Sequence, residues 1–219
     1  MPRHQAKDPD TVSPASATNA RVSVTSQPAT PPSPSQESPS RTPSPLGVGV
    51  IVWLASELMF FAGLFAAYFT LRSINDPWPP DDVHLETART AVATVVLVAS
   101  SGAIHMAVVA AKRQDRRAAA AWLGVTSFMG ALFLVNLVLE YAEADFAIDD
   151  HAYGSIFYLL TGFHGLHVLG GLIFMGAVAA AITGRSRAPT FQTVEVCGYY
   201  WHFVDVVWVF MFATIYLVK

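Results

Sequence analysis

A histidine and an aspartate, His202 and Asp205, stand inside the run Tyr200-Trp201-His202-Phe203-Val204-Asp205-Val206-Val207-Trp208. The stretch around them, about Val194–Val218, is otherwise apolar and aromatic and long enough to cross a bilayer. A charged group at the centre of such a helix costs on the order of 2.5–3.5 kcal/mol on insertion scales, so it usually faces protein or water rather than lipid. Three positions apart, the two can meet each other or an adjacent helix, and a neutral hydrogen-bonded pair costs less than separated charges. Trp201, Phe203, Trp208 and Phe210 read as packing and interface anchors rather than as a cofactor box.

Three further groups of polar residues lie in apolar surroundings. His164 and His167, in Thr161-Gly162-Phe163-His164-Gly165-Leu166-His167-Val168, are spaced i, i+3 on one helical face. Paired histidines suggest a metal or haem site, but a metal would need further ligands from neighbouring helices. The favoured alternative is that the imidazoles hydrogen-bond across a tight interface, made close by glycines at 162, 165, 170 and 171. Glu57 lies in Trp53-Leu54-Ala55-Ser56-Glu57-Leu58-Met59-Phe60-Phe61, where burial favours the neutral acid. It reads either as a proton-linked or lipid-linked carboxyl or as an acid hydrogen-bonded to a neighbouring helix. Asn136, Glu140 and Glu143 fall at i, i+4 and i+7 on one face. Cation binding, an interhelical contact and the water boundary are all open there, with the contact favoured for Glu140 and the boundary for Glu143.

The elements that must hold these residues are helices in a membrane. Of the 219 residues 53% are hydrophobic and 13% charged, against roughly 25% charged in a soluble domain. The net charge of −3 gives no sign of nucleic-acid binding, and the single cysteine, Cys197, can form no internal disulfide. Residues 1–46 hold ten of the fourteen prolines and no apolar run, so a disordered Pro/Ser-rich tail is expected there. Residues 47–219 then form an all-α, polytopic helix bundle. Its five transmembrane spans are expected at about 47–71, 88–111, 118–142, 153–182 and 194–218, with no proline inside any of them.

The connections alternate in charge. Lys112-Arg113-Gln114-Asp115-Arg116-Arg117 and Arg185-Ser186-Arg187 are basic, whereas 75–86 and 143–151 are acidic. Basic short loops stay in the cytoplasm, which puts the N-terminus inside and the C-terminus outside.

These residues resemble subunit III of the haem–copper terminal oxidases. The resemblance covers roughly residues 47–218. It rests on SELMFFAGLFAAYF at 56–69, WPP at 78–80, EYAEADFAI at 140–148, YGSIFYLLTGFHGLHV at 153–168 and YYWHFVDVVWVFMF at 199–212. The resemblance implies an accessory subunit of a respiratory cytochrome c oxidase in a bacterial cell membrane. Such a chain has no redox centre, catalytic residue or metal ligand of its own. The haems and coppers belong to subunits I and II, with which it packs. It binds phospholipid and supports the proton uptake and durability of subunit I. Glu57 matches the family's intramembrane carboxylate, and His164, His167, His202 and Asp205 match its helix-bundle polar motifs.

Many members have seven spans where five are expected here, and the family's lipid-holding cleft is formed partly by the other pair. Five-span forms include the quinol-oxidising branch, which is the alternative reading, although Glu57 and the EYAEA run look closer to the cytochrome c branch. High alanine content and arginine-over-lysine usage resemble a high-GC bacterium such as an actinobacterium. By analogy the complex would be an aa3-type oxidase joined to a cytochrome bc complex in a supercomplex. Two other function classes compete. One is a membrane haem protein using His164, His167 or His202, which a Soret band of the isolated chain would reveal. The other is a proton-coupled transporter built on Glu57 and Asp205, disfavoured because no inverted repeat or broken span is visible.

Overall fold

The computed structural model describes residues 45–80, 83, 85–184 and 190–218. The tail expected to be disordered lies outside the described residues apart from Pro45 and Leu46, and so do Arg185, Arg187 and Pro189 of the second basic loop. Among the described residues there are five long α-helices and no strand: α1 (Pro45–Ile74), α2 (Thr87–Lys112), α3 (Arg116–Glu143), α4 (Ala152–Thr183) and α5 (Thr190–Phe212). A π-helical turn, Ala213–Leu217, continues α5. The helices are 23 to 32 residues long, about 35–48 Å at 1.5 Å per residue, so each exceeds a hydrocarbon core of roughly 30 Å. All five expected spans are present: each helix begins one to four residues before its expected start, the first four run one to three residues past their expected ends, and the π turn carries the last to Leu217.

The helix ends follow local chemistry. Pro45 begins α1, where its fixed φ suits the first turn and its missing N–H is no loss. Between α2 and α3 the chain reverses over Arg113, Gln114 and Asp115. Gln114 takes φ +61°. Its N–H reaches the Ala111 carbonyl, and that of Asp115 reaches the Ala110 carbonyl. This pair of bonds is the Schellman closure of a helix C-terminus. The Asp115 carboxylate then accepts from the Ala118 N–H at 3.0 Å and caps α3. His151 caps α4 in the same way, its Nδ1 accepting from the Gly154 N–H at 2.7 Å.

α5 is the central helix. It packs on α2 and α4, while α2 also packs on α3, and α3 on α4. α1 joins the others through α4 and α5. In the most apolar window of α5 56% of the residues are buried, against 6% for α1. The least apolar span is thus the innermost, and α1 is the one least covered by the other helices. That order follows from the solvent: lipid tails give no hydrophobic drive between helices, so small residues and hydrogen bonds decide which faces meet.

Trp201 illustrates both. It is fully buried, and an added Cβ at Gly130 of α3 or at Gly171 of α4 would lie 2.6 and 2.8 Å from its ring. On its third side the indole N–H donates to Ser100 Oγ of α2 at 2.7 Å. One side chain therefore ties α5 to three helices at once.

Candidate functional site

The polar residues do not converge on one centre; they form separate contacts between pairs of helices. The first joins α1 to α4. His167 Nε2 lies 3.1 Å from Glu57 Oε2, and its Nδ1 lies 2.7 Å from the Phe163 carbonyl oxygen. A carbonyl can only accept, so Nδ1 must carry a proton and donate it. One further proton lies between Nε2 and Oε2, either on a neutral acid or on an imidazolium facing a carboxylate. Both arrangements leave the pair neutral overall, which suits its depth. Around it Trp53 stacks on Tyr200 at 5.5 Å, and the Tyr200 hydroxyl donates to the His167 carbonyl at 2.8 Å. Of the two readings of Glu57, the acid hydrogen-bonded to a neighbouring helix has its partner here, His167 of α4.

His164 parts company with His167. The two are 60° apart around α4, and while His167 turns to α1, His164 turns into the core. It is fully buried, stacked on Trp208 with ring centroids 5.0 Å apart and edge-on to Phe133 at 5.8 Å. Neither of its nitrogens has a hydrogen-bond partner among the described residues. The expectation that both imidazoles hydrogen-bond across the interface therefore describes His167 but not His164, whose contacts are aromatic.

The third contact joins α5 to α2. His202 and Asp205 meet Ser101, not each other. The Ser101 hydroxyl donates to Asp205 Oδ2 and lies 2.9 Å from His202 Nδ1. The single hydroxyl proton goes to the carboxylate, so Nδ1 donates to the hydroxyl oxygen. One turn further on, Trp208 Nε1–H donates to Thr94 Oγ1 at 2.8 Å.

The fourth lies where α2, α3 and the π turn meet. Glu140 is 3% exposed. Its Oε1 accepts from the Tyr216 hydroxyl at 2.8 Å and from Thr90 Oγ1 at 3.2 Å. Glu143 forms an ion pair with Arg89, and Asn136 lines a cavity of about 350 Å³ with Arg89, Val92 and Phe133. The π turn also places the Thr214 carbonyl within 3.1 Å of the Tyr68 hydroxyl, which accepts from Trp78 Nε1–H of the WPP segment at 3.1 Å.

Most of the partners had no signal of their own in the sequence. The α2 hydroxyls of Thr90, Thr94, Ser100 and Ser101, and that of Tyr216, are uncharged groups that a membrane helix tolerates anywhere along its length. The readable hint was the periodic spacing of hydroxyls through an otherwise apolar span, with Ser101 at its middle. Among the described residues no three histidine, cysteine or acidic side chains come together as a metal site.

A model of the family described as "Cytochrome c oxidase subunit III" matches residues 40–219. A probable cytochrome c oxidase subunit 3 of Nocardia farcinica is 45% identical over 182 residues, covering 81% of this chain and 90% of the relative. One of Mycobacterium bovis is 44% identical over 183 residues with the same coverage. The cytochrome c oxidase subunit 3 of Thermostichus vulcanus is 38% identical over 172 residues, covering 78% and 86%. Five membrane-spanning helices, with the motif residues knitting them together, agree with that match in every span, and the chain belongs to the cytochrome c oxidase subunit III family.

Proposed function

We propose that this chain is a non-redox, accessory subunit of a respiratory cytochrome c oxidase, holding and protecting the catalytic subunits that carry haem and copper. The observation that carries the reading is the way its buried polar groups are used. Glu57 and His167 bridge α1 to α4, Ser101 takes both His202 and Asp205, and Glu140 is held by Tyr216 and Thr90. Trp201 and Trp208 spend their N–H groups on α2 hydroxyls. Groups committed to helix pairing make a rigid bundle; they do not form an open site where a substrate atom meets an acid, a base and a ligand together. The natural work of such a bundle is to shield a partner and its proton-uptake surface through many turnovers. On this reading the partners are oxidase subunits I and II with bound phospholipid, and the donor is cytochrome c, after the names of the relatives. A cytochrome bc complex joins as a further partner in a supercomplex.

The test is removal of the chain from the complex. The remaining oxidase should keep its haem spectrum and initial oxygen consumption, then inactivate within fewer turnovers than the parent. Loss of a haem band with this chain, or a Soret band in the chain alone, would overturn the reading.

A further inference from the structure

We propose that the basic turn between α2 and α3, with the apolar stripes beneath it, is a binding surface for anionic phospholipids of the leaflet on that side, their phosphates seated on Arg113 and Arg117. This deepens the reading of bound phospholipid as a partner and rests on it, adding the class of headgroup and the place.

Lys112, Arg113, Arg116 and Arg117 are all exposed. The one acid among them is already spent, since the Asp115 carboxylate caps α3 through the Ala118 N–H. Lys112 Nζ lies 5.3 Å from the centre of the Phe191 ring, a contact that leaves its charge in place. Among the described residues neither Arg113 nor Arg117 is paired with an acid. Local helix chemistry does not call for these cations. The first turn of α3 opens with two arginines and holds no acid, although the positive end of a helix dipole favours anions and disfavours cations. An arginine offers a planar fork of donors that matches the oxygens of a phosphate.

Each of the two arginines stands at the head of an apolar stripe. On α3, Ala121, Val125, Phe128 and Leu132 follow Arg117 at steps of three and four residues, which keeps them on one face, and all are exposed. On α2, exposed Met106 and Val98 lie below Arg113 in the same way. Each stripe runs about 22 Å from its arginine at 1.5 Å per residue. That is the depth of one leaflet, half of a hydrocarbon core of roughly 30 Å together with part of the headgroup layer. Trp122, also exposed, stands just below Arg117, at the level where indole rings anchor in a membrane interface.

The combination decides the occupant. An acidic segment of a partner protein would meet the arginines and leave the stripes bare. A zwitterionic lipid would cover the stripes but bring a cation of its own to the turn. An anionic phospholipid supplies phosphate and chain in one molecule. Basic segments at the end of a membrane helix attract such lipids, and salt screens the attraction.

The experiment uses the intact oxidase in bilayers where phosphatidylglycerol is the minor component beside phosphatidylcholine. A photoreactive benzoylphenylalanine replaces Ala121, one turn below Arg117, or Val95, an exposed residue of α2 in the other leaflet. Mass spectrometry then identifies the headgroup of each captured lipid. The position of Ala121 should capture phosphatidylglycerol severalfold above its share of the bilayer. The position of Val95 should capture the two lipids in the bilayer's own ratio. The excess should fall towards that ratio in about 1 M salt, where the screening length is near 3 Å, and in the double variant Arg113→Gln/Arg117→Gln. The salt arm needs no charge variant, so it decides the matter even where the double variant fails to assemble. Capture at the bilayer's ratio at Ala121, an excess that salt leaves untouched, or capture of a peptide from another subunit in place of lipid would overturn the assignment. If that happens while removal of this chain still shortens the oxidase's working life, only the lipid surface is wrong. An oxidase equally durable without the chain defeats the accessory reading instead.

Discussion

At the scale of single residues the Glu57–His167 pair allows the sharpest expectation, because its hydrogen bonding is determined on three of four sides. The Phe163 carbonyl fixes the proton on Nδ1, so His167 offers Nε2 to Glu57. In Glu57→Gln the amide N–H can donate to that lone pair, and the contact survives without a titrating proton. In Glu57→Ala the imidazole, 15% exposed in the parent, loses its Nε2 partner. An unsatisfied group of this kind costs about 1–3 kcal/mol. Thermal denaturation of the purified complex should place Glu57→Gln near the parent and Glu57→Ala clearly below it. Equal melting of both variants would mean that the bond does not stabilise the fold. Initial oxygen consumption should survive in both. None of this pairing was readable from spacing: position 57 shows that a carboxyl in a span needs a partner, but not which of four other helices provides it.

Helices themselves were the legible part, because a run of about twenty apolar residues without proline has few other structures available to it in lipid. What spacing could not supply was their arrangement. The i, i+3 histidines of α4 look alike in sequence, yet 60° of rotation sends His164 to Trp208 and Phe133 and His167 to Glu57. Trp201 read correctly as packing, while its neighbours at Gly130 and Gly171 depend on how α3 and α4 approach α5. That approach is testable. Gly171→Ala puts a methyl group 2.8 Å from the Trp201 ring, where the indole is held by Ser100 and cannot retreat. Overpacking of this sort costs about 1–3 kcal/mol. Trp201→Leu in the same chain should recover part of that loss, and a strictly additive double variant in thermal denaturation would disprove direct contact. The α2–α3 turn predicts the opposite sign. Gln114 holds a left-handed conformation that disfavours side chains. Gln114→Gly should therefore stabilise the hairpin by about 1 kcal/mol, seen as a higher melting temperature.

For the molecule as a whole, the two ends of the bundle differ in charge. The turn at 113–115 lies at one end of the bundle. The WPP segment and the 144–151 connection lie at the other, since Trp78 packs edge-on against Tyr153 and Tyr153 against Phe146. The first end carries Lys112, Arg113, Arg116 and Arg117; the second carries Asp76, Glu86, Asp145, Asp149 and Asp150. Short loops rich in lysine and arginine are retained in the cytoplasm, whereas acidic residues contribute little to orientation. The basic turn is thus expected inside and the acidic loops outside. Single-cysteine labelling can decide this cleanly, because the chain's own cysteine, Cys197, is 1% exposed and should stay silent. With a membrane-impermeant maleimide applied to intact cells, Asp149→Cys should label at once. Arg113→Cys should label only after the membrane is opened. The reverse pattern would invert the topology and move the C-terminal π turn, with the Glu140–Tyr216 bond, to the cytoplasmic side. The Ser101–Asp205 bond would keep its depth in either orientation, since it lies midway between the two ends.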